Sequence, residues 1–260
     1  LRAPYSTKMA SSLRYELIHL WGFCSGFRVI NVGLLPNGTA RAEPVDQQDL
    51  QTWNLNVYRA AWTALIGVRP IDPRSRILEI GCGQGLGLQF LAAQYEGRPT
   101  GIDMSLVATL IARRTGLTVK RGTSHALPFA SASFDVIVVV EALFVFAGWA
   151  QALKEIRRVL VPGGHLVTAE FTSLTTNDAR DAVARRAHDA QLRLVALVDH
   201  TADARRAVLE GEPVRARYLR HVPAPIAACF RDVLSLKGSK RYANWAERRE
   251  SYYIAVLQAA

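Results

Sequence analysis

The sequence predicts a doubly wound α/β fold, and three observations predict it. From Arg76 to Phe171, short β-rich runs alternate with segments of helical period. One of these runs, Phe134 to Val140 (FDVIVVV), is almost continuously apolar and β-branched, as a parallel strand covered on both faces must be. A glycine-rich stretch, Gly81 to Gly85, sits where the first strand should hand over to a helix.

The elements follow in order. Residues 1–66 are helical in period, broken by a Gly/Pro/Asn loop from Gly33 to Gly38, and read as an N-terminal helical cap. A core over 67–171 opens with a strand from Arg76 to Ile80, followed by a helix carrying Leu86, Leu88, Phe90 and Leu91. Pro99 to Asp103 is the second strand, Ser105 can cap a helix reaching Thr115, and Leu117 to Lys120 is the third strand. After FDVIVVV, one helical stripe holds Trp149, Leu153, Ile156 and Leu160, and Pro162-Gly163-Gly164 stops that helix. His165 to Phe171 is the fifth strand. Residues 172–228, rich in Ala and Arg and helical in period, are expected to form a helical lid insertion after it. Cys229 to Leu236 and Ser251 to Leu257 return to a strand pattern, so 229–260 are expected to close the sheet as an antiparallel hairpin.

Composition narrows the function classes. Half of the residues are apolar, which excludes disorder as an overall description. A net charge of +10 and a pI near 9.9 invite a nucleic-acid reading. The charge is spread, however: 1–66 carry +2, 67–171 carry +3 and 172–260 carry +5, with no long basic run. The excess between Arg231 and Arg249 reads as a solvated surface or a subunit contact. Nucleic acid is therefore not an expected partner. Cys24, Cys82 and Cys229 are odd in number and form no CxxC pair, so neither a disulfide framework nor a metal site is expected. Asp135 and Glu141 interrupt the longest apolar stretch, which is too short to span a membrane, and no signal pattern opens the sequence. A cytoplasmic, bacterial setting is expected; Arg supplies 27 of the 32 basic residues, as in high-GC coding sequences.

The chemistry concentrates at Glu79-Ile80-Gly81-Cys82-Gly83-Gln84-Gly85. A dinucleotide fingerprint, GxGxxG, fails in both frames because its last position falls on Leu86 or Leu88. No Gly-Lys-Ser/Thr follows, which excludes a P-loop. Asp103, 18 residues after Gly85 at the end of the second strand, can accept hydrogen bonds from both hydroxyls of a ribose.

Four segments, ILEIGCGQG, GIDMS, LPFASASFDVIVVVEAL and EIRRVLVPGGHLV, resemble class I S-adenosylmethionine (SAM) dependent methyltransferases in the right order. The Tyr15 region with INVGLL and the ending LSLKGSKRYANWAERRESYYIAVL are similar to a small-molecule branch. That branch holds phthiotriol-type lipid, sterol C-methyl and natural-product methyltransferases. The resemblance implies a Rossmann-like seven-stranded sheet with SAM as cofactor and S-adenosylhomocysteine as product. It implies that Gly81, Gly83 and Gly85 contact the methionine half of SAM and that Glu79 orients the loop or meets the ammonium group. Asp103 would bind the ribose, Met104 would pack on adenine, and Tyr15 would cover the site. Where the family reads Gly-Asp-Ala at the adenine loop, this chain has Gly122-Thr123-Ser124, so Thr123 and Ser124 replace a missing carboxylate only in part.

For the acceptor, the segment after the fourth strand lacks the His common in small-molecule relatives and offers Phe144, Val145 and Phe146. Phe144 and Phe146, with Trp21 and His188, are the candidate substrate contacts; the alternative for the two Phe side chains is the core. An aromatic wall favours carbon methylation of a prenyl or terpenoid alkene, since aromatic faces stabilise a carbocation, with Glu141 as charge stabiliser or base. The alternative is O-methylation of a polyketide, sugar or lipid hydroxyl, with a base drawn from lid residues such as His19, His200 or His221. An RNA or protein methyltransferase and a non-catalytic SAM-binding protein stand further back. The expected partner is a hydrophobic small molecule, with a homo-oligomer through the N-terminal cap as a further expectation.

Overall fold

The computed structural model describes residues 8–26, 31–36, 45–143, 149–220, 222 and 224–260. Two helices come first, α1 (Lys8–Ser25) and α2 (Gln47–Ile66). Asp46 and Asp49 cap α2 reciprocally, each carboxylate accepting the other's backbone N–H at 2.9 Å, an arrangement worth about 1 kcal/mol. The core then runs β1 (Ile77–Ile80), α3 (Leu86–Gln94), β2 (Thr100–Asp103), α4 (Leu106–Arg114), β3 (Thr118–Arg121), β4 (Phe134–Val140), α5 (Trp149–Val159) and β5 (Leu160–Thr172). It continues through α6 (Thr176–Asp189), β6 (Leu192–Asp199), α7 (Thr201–Tyr218), α8 (Ala224–Arg231), α9 (Lys240–Ala246) and β7 (Ser251–Ala259).

The seven strands form one sheet in the order β3-β2-β1-β4-β5-β7-β6, with β7 antiparallel to both neighbours and the β1–β5 pairings parallel. This is the expected Rossmann-like arrangement. Residues of β4 alternate between two cores. Ile137 and Val139 join Leu153 and Ile156 of α5, while Val136, Val138 and Val140 join Val57 and Ala61 of α2. That double burial is why the strand reads as an unbroken apolar run.

Three expectations are corrected. Leu192–Asp199, placed inside the helical insertion, is a strand paired with β7 from Leu192↔Ala259 to Asp199↔Tyr253. Its neighbours are Ala- and Arg-rich helices, and they hid the alternation of LRLVALVD. The stretch Cys229 to Leu236 is not a strand. It finishes α8 and closes helix-like turns, Leu234 N–H to Phe230 O at 2.9 Å and Leu236 N–H to Arg231 O at 2.9 Å. Phe230, Leu234 and Leu236 are apolar because they fill the cap cluster with Ile18, Leu50 and Trp53. The closing strand β7 therefore pairs with β6 and β5, and the capping helices α7 to α9 lie between β6 and β7. Pro162-Gly163-Gly164 does not separate helix from strand: Phe134 pairs with Leu160 and Val136 with His165, so the tripeptide sits in a bulge within β5.

Candidate functional site

The glycine loop leaves β1 at the carboxyl edge of the parallel strands, where open α/β sheets bind ligands. Gly81 has φ +77°, and a Cβ there would lie 2.6 Å from the Ala142 side chain. Only glycine suits both demands. The N–H groups of Gly81 and Cys82 donate to Ile102 O at 2.8 and 3.2 Å, which ties the loop to the end of β2. Asp103 completes the tie: Oδ2 accepts the Gly83 N–H and Oδ1 the Ser105 N–H, both at 2.8 Å. Each carboxylate oxygen keeps a lone pair for a further donor. Ser105 caps α4, its hydroxyl accepting the Ala108 N–H at 3.0 Å.

Around this loop lie buried polar atoms without a hydrogen-bond partner. Glu79 accepts the Tyr58 hydroxyl on Oε1 at 2.7 Å, while Oε2 has no partner. Burial pushes its carboxyl up to about 7 against the Tyr58 hydrogen bond. Ser124 Oγ is buried and unpartnered, whereas Thr123 beside it is exposed. Met104 is half-buried, and its carbonyl accepts from Arg121 Nε at 3.2 Å.

Helix α1 lies across the same loops. Its Glu16 carboxylate accepts the Ser105 hydroxyl at 2.7 Å and the Leu106 and Val107 N–H groups at 2.9 Å each. A carboxylate at a helix N-terminus satisfies orphan amides and meets the positive end of the helix dipole. Burial would raise the Glu16 carboxyl, but these hydrogen bonds hold it below the usual carboxylate range. One turn on, the His19 carbonyl accepts from Gln84 Nε2 at 3.0 Å. The His19 ring is buried, with Cε1 3.3 Å from where a Cβ on Gly83 would stand, and Nδ1 has no partner. Burial lowers the His19 pKa, opposed by the nearby carboxylates of Asp103 and Glu16. Tyr15 is half-buried on the same helix. Glu16 and Gln84 were not singled out in the sequence; Glu16 looks like any charged residue on an amphipathic helix.

At the end of β4, Glu141 has φ +48°, an uncommon backbone for a non-glycine residue. Its Oε1 accepts the Val32 N–H at 2.9 Å and the Tyr252 hydroxyl at 3.0 Å. Burial pushes the Glu141 carboxyl up to about 7 against these hydrogen bonds. Glu170, also missed, accepts the Leu143 N–H at 3.1 Å and the Thr168 hydroxyl at 3.2 Å on Oε1, leaving Oε2 unpartnered. Burial pushes its carboxyl up to about 8. An acidic residue ending an otherwise apolar strand was the available signal.

Of the expected acceptor contacts only Trp21 and His188 are among the described residues, and the structure places them in different surroundings. Phe144 and Phe146 lie outside the described residues. Trp21 stacks on Phe230 at 5.7 Å and meets Tyr218 edge-on at 5.9 Å, so it packs within the cap cluster. His188 is 93% exposed near the C-terminus of α6. Because α6 starts at the carboxyl end of β5 and runs back along the sheet, His188 lies at the edge opposite the glycine loop.

Residues 78–168 match the family model described as a methyltransferase domain. This stretch of the chain is a methyltransferase domain, carried on a class I methyltransferase fold. The chemistry of the donor set, a carboxylate at Asp103 and unpartnered oxygens on Glu79 and Ser124 around the loop, is compatible with the expected cofactor, SAM. Over 101 residues the chain is 37% identical to a phthiotriol/phenolphthiotriol dimycocerosates methyltransferase of Mycobacterium leprae, covering 37% of each chain. Over 99 residues it is 35% identical to a fatty-acid O-methyltransferase of Mycolicibacterium smegmatis, covering 35% of each. The matched stretch is thus little more than a third of these curated relatives. The whole fold is similar to the crystal structure of the [4+2]-cyclase SpnF, with TM-score 0.78, 19% identity and 98% of each chain covered. Among the described residues no helix is long and apolar enough to cross a membrane.

Proposed function

We propose that this methyltransferase transfers a methyl group from SAM to a hydroxyl of a hydrophobic lipid or natural product. The observation that carries the reading is the Asp103 carboxylate, which fastens the glycine loop and the start of α4 directly beneath α1. In this reading Asp103 holds the ribose diol, Glu79 the ammonium, and the Gly81, Gly83 and Gly85 backbone the methionine half. Met104, Thr123 and Ser124 meet adenine, and Tyr15 closes over the site. SAM supplies an electrophilic methyl group on a sulfonium. His19, neutral because burial lowers its pKa, takes the proton that the acceptor hydroxyl gives up. Phe144 and Phe146, outside the described residues, keep the proposed role of apolar contacts for the acceptor. Similarity to lipid-acting relatives supports the acceptor class.

A second reading, carbon methylation of a prenyl or terpenoid alkene, is favoured by Glu141. Its buried carboxylate at the end of β4 could balance a carbocation or take its proton. Incubation with methyl-labelled SAM and a panel of lipid, polyketide and terpenoid acceptors, followed by NMR of the product, separates the two. An O–CH3 signal supports the first reading, and a C–CH3 signal replaces it with the second. His19→Ala should lower kcat by about 10²-fold, as loss of a general base does, with SAM affinity retained. Lost SAM affinity at full kcat would make His19 a cofactor contact only.

A further inference from the structure

The outer face of α1 presents Leu13, Leu17, Leu20 and Phe23, which are 64%, 38%, 50% and 49% exposed. Their spacing of four, three and three residues sets them on one stripe of the helix. Helix α4, on which α1 is fastened through Glu16, adds Leu106 and Leu110, 44% and 49% exposed. These six account for most of the large apolar side chains exposed among the described residues. Single exposed leucines need no explanation, but two packed helices that both turn apolar stripes outward do.

Charge indicates what covers the face. Helix α4 contains no acidic residue, and the single acid of α1, Glu16, is turned inward and spent on the α4 amides. The exposed line of α4, Leu106 then Leu110, runs on into exposed Arg113 and Arg114. Exposed Arg121 stands at the end of the neighbouring β3. The α4 end of this apolar face is thus bordered by Arg113, Arg114 and Arg121. Exposed Asp46 stands at the other end, next to Gln47, whose side chain bonds the Gly26 carbonyl. On a chain of net +10 the α4 end complements an anionic surface and disfavours a second copy of itself. We propose that this face docks the protein on an anionic lipid bilayer, with α1 lying in the interface and carrying His19 and the closed site to the membrane surface. Docking there would let a lipid-like acceptor enter without crossing water. That purpose rests on the proposed acceptor class, but the docking geometry does not.

The test is co-sedimentation of the full chain with phosphatidylcholine vesicles and with vesicles containing 30% phosphatidylglycerol, without SAM or acceptor. Anionic vesicles should bind at least tenfold more tightly, and binding should weaken in high salt, as polybasic surface attraction does. The double substitution Leu20→Glu/Phe23→Glu and, separately, Leu110→Glu should each lower partitioning by about tenfold or more while SAM affinity stays at the wild-type value. Equal binding to neutral vesicles, or binding unmoved by these substitutions, overturns the proposal. A wild-type dimer in light scattering that the double substitution dissociates also overturns it, in favour of a second copy. Methyl transfer to a detergent-solubilised acceptor is measured in parallel. Because vesicle binding needs no acceptor, a wild-type chain that transfers methyl but does not bind anionic vesicles refutes docking alone, and one that binds them but methylates no lipid-like acceptor refutes the acceptor reading alone.

Discussion

Gly81, Asp103 and Ser105 are fixed by hydrogen bonds at the ends of the adjacent strands β1 and β2, whose Leu78, Ile80 and Ile102 are buried in the core. Glu16 and His19 reach the same place on one helix, held over the loops by three carboxylate hydrogen bonds and one carbonyl contact with Gln84. The strand-end half is built to keep its geometry with or without a ligand. The α1 half can open by giving up a few polar contacts, so it can act as the moving part of the site.

Substitutions on the two sides sharpen this contrast. Asp103→Ala removes the proposed acceptor for the ribose diol together with the anchor of Gly83, and should weaken SAM binding by roughly 100-fold or more in calorimetry. Wild-type affinity would remove the ribose assignment. Glu16→Ala strips three donors of their acceptor and should release α1 at a cost of about 1–2 kcal/mol. Proteolysis within 8–26 should then quicken, with the melting temperature of the sheet little changed. A matching drop in global stability would show that the two halves are one unit.

A smaller effect concerns Glu170. Its carboxyl is pushed up to about 8, so the native state holds that proton more tightly than the unfolded chain does. The stability it contributes is complete below the ordinary carboxylate value of 4.5 and is lost as pH rises through about 8. The wild-type melting temperature should therefore fall across that window, and Glu170→Gln should flatten part of the fall. An unchanged slope would mean that Glu170 is ionised and paired. Smallest of all, His188→Ala should change neither turnover nor stability beyond about 0.5 kcal/mol, since the side chain is solvated at the far edge.

The same contrast explains what the sequence disclosed. Gly81 and FDVIVVV were legible because backbone conformation and two-sided burial demand particular residue types, and Asp103 because a carboxylate ends the second strand beside the glycine loop that it ties. Residues that act through tertiary neighbours left no such mark. Glu16 matters because α4 begins beneath it, and Glu170 because the Leu143 N–H reaches it. Cys229 to Leu236 and Leu192–Asp199 exchanged their expected roles because apolar content alone does not separate a cap cluster from a sheet edge. His188 was misplaced because its period placed it on a helix without saying which end of the sheet that helix end meets.

The central claim is that the strand-end loop and α1 close together on one SAM molecule. Amide hydrogen exchange of the wild-type chain with and without SAM tests it directly. Exchange should slow together in 81–85, 103–107 and 15–20. Protection of the loop with 15–20 unchanged, or protection confined to the opposite edge of the sheet, would contradict it.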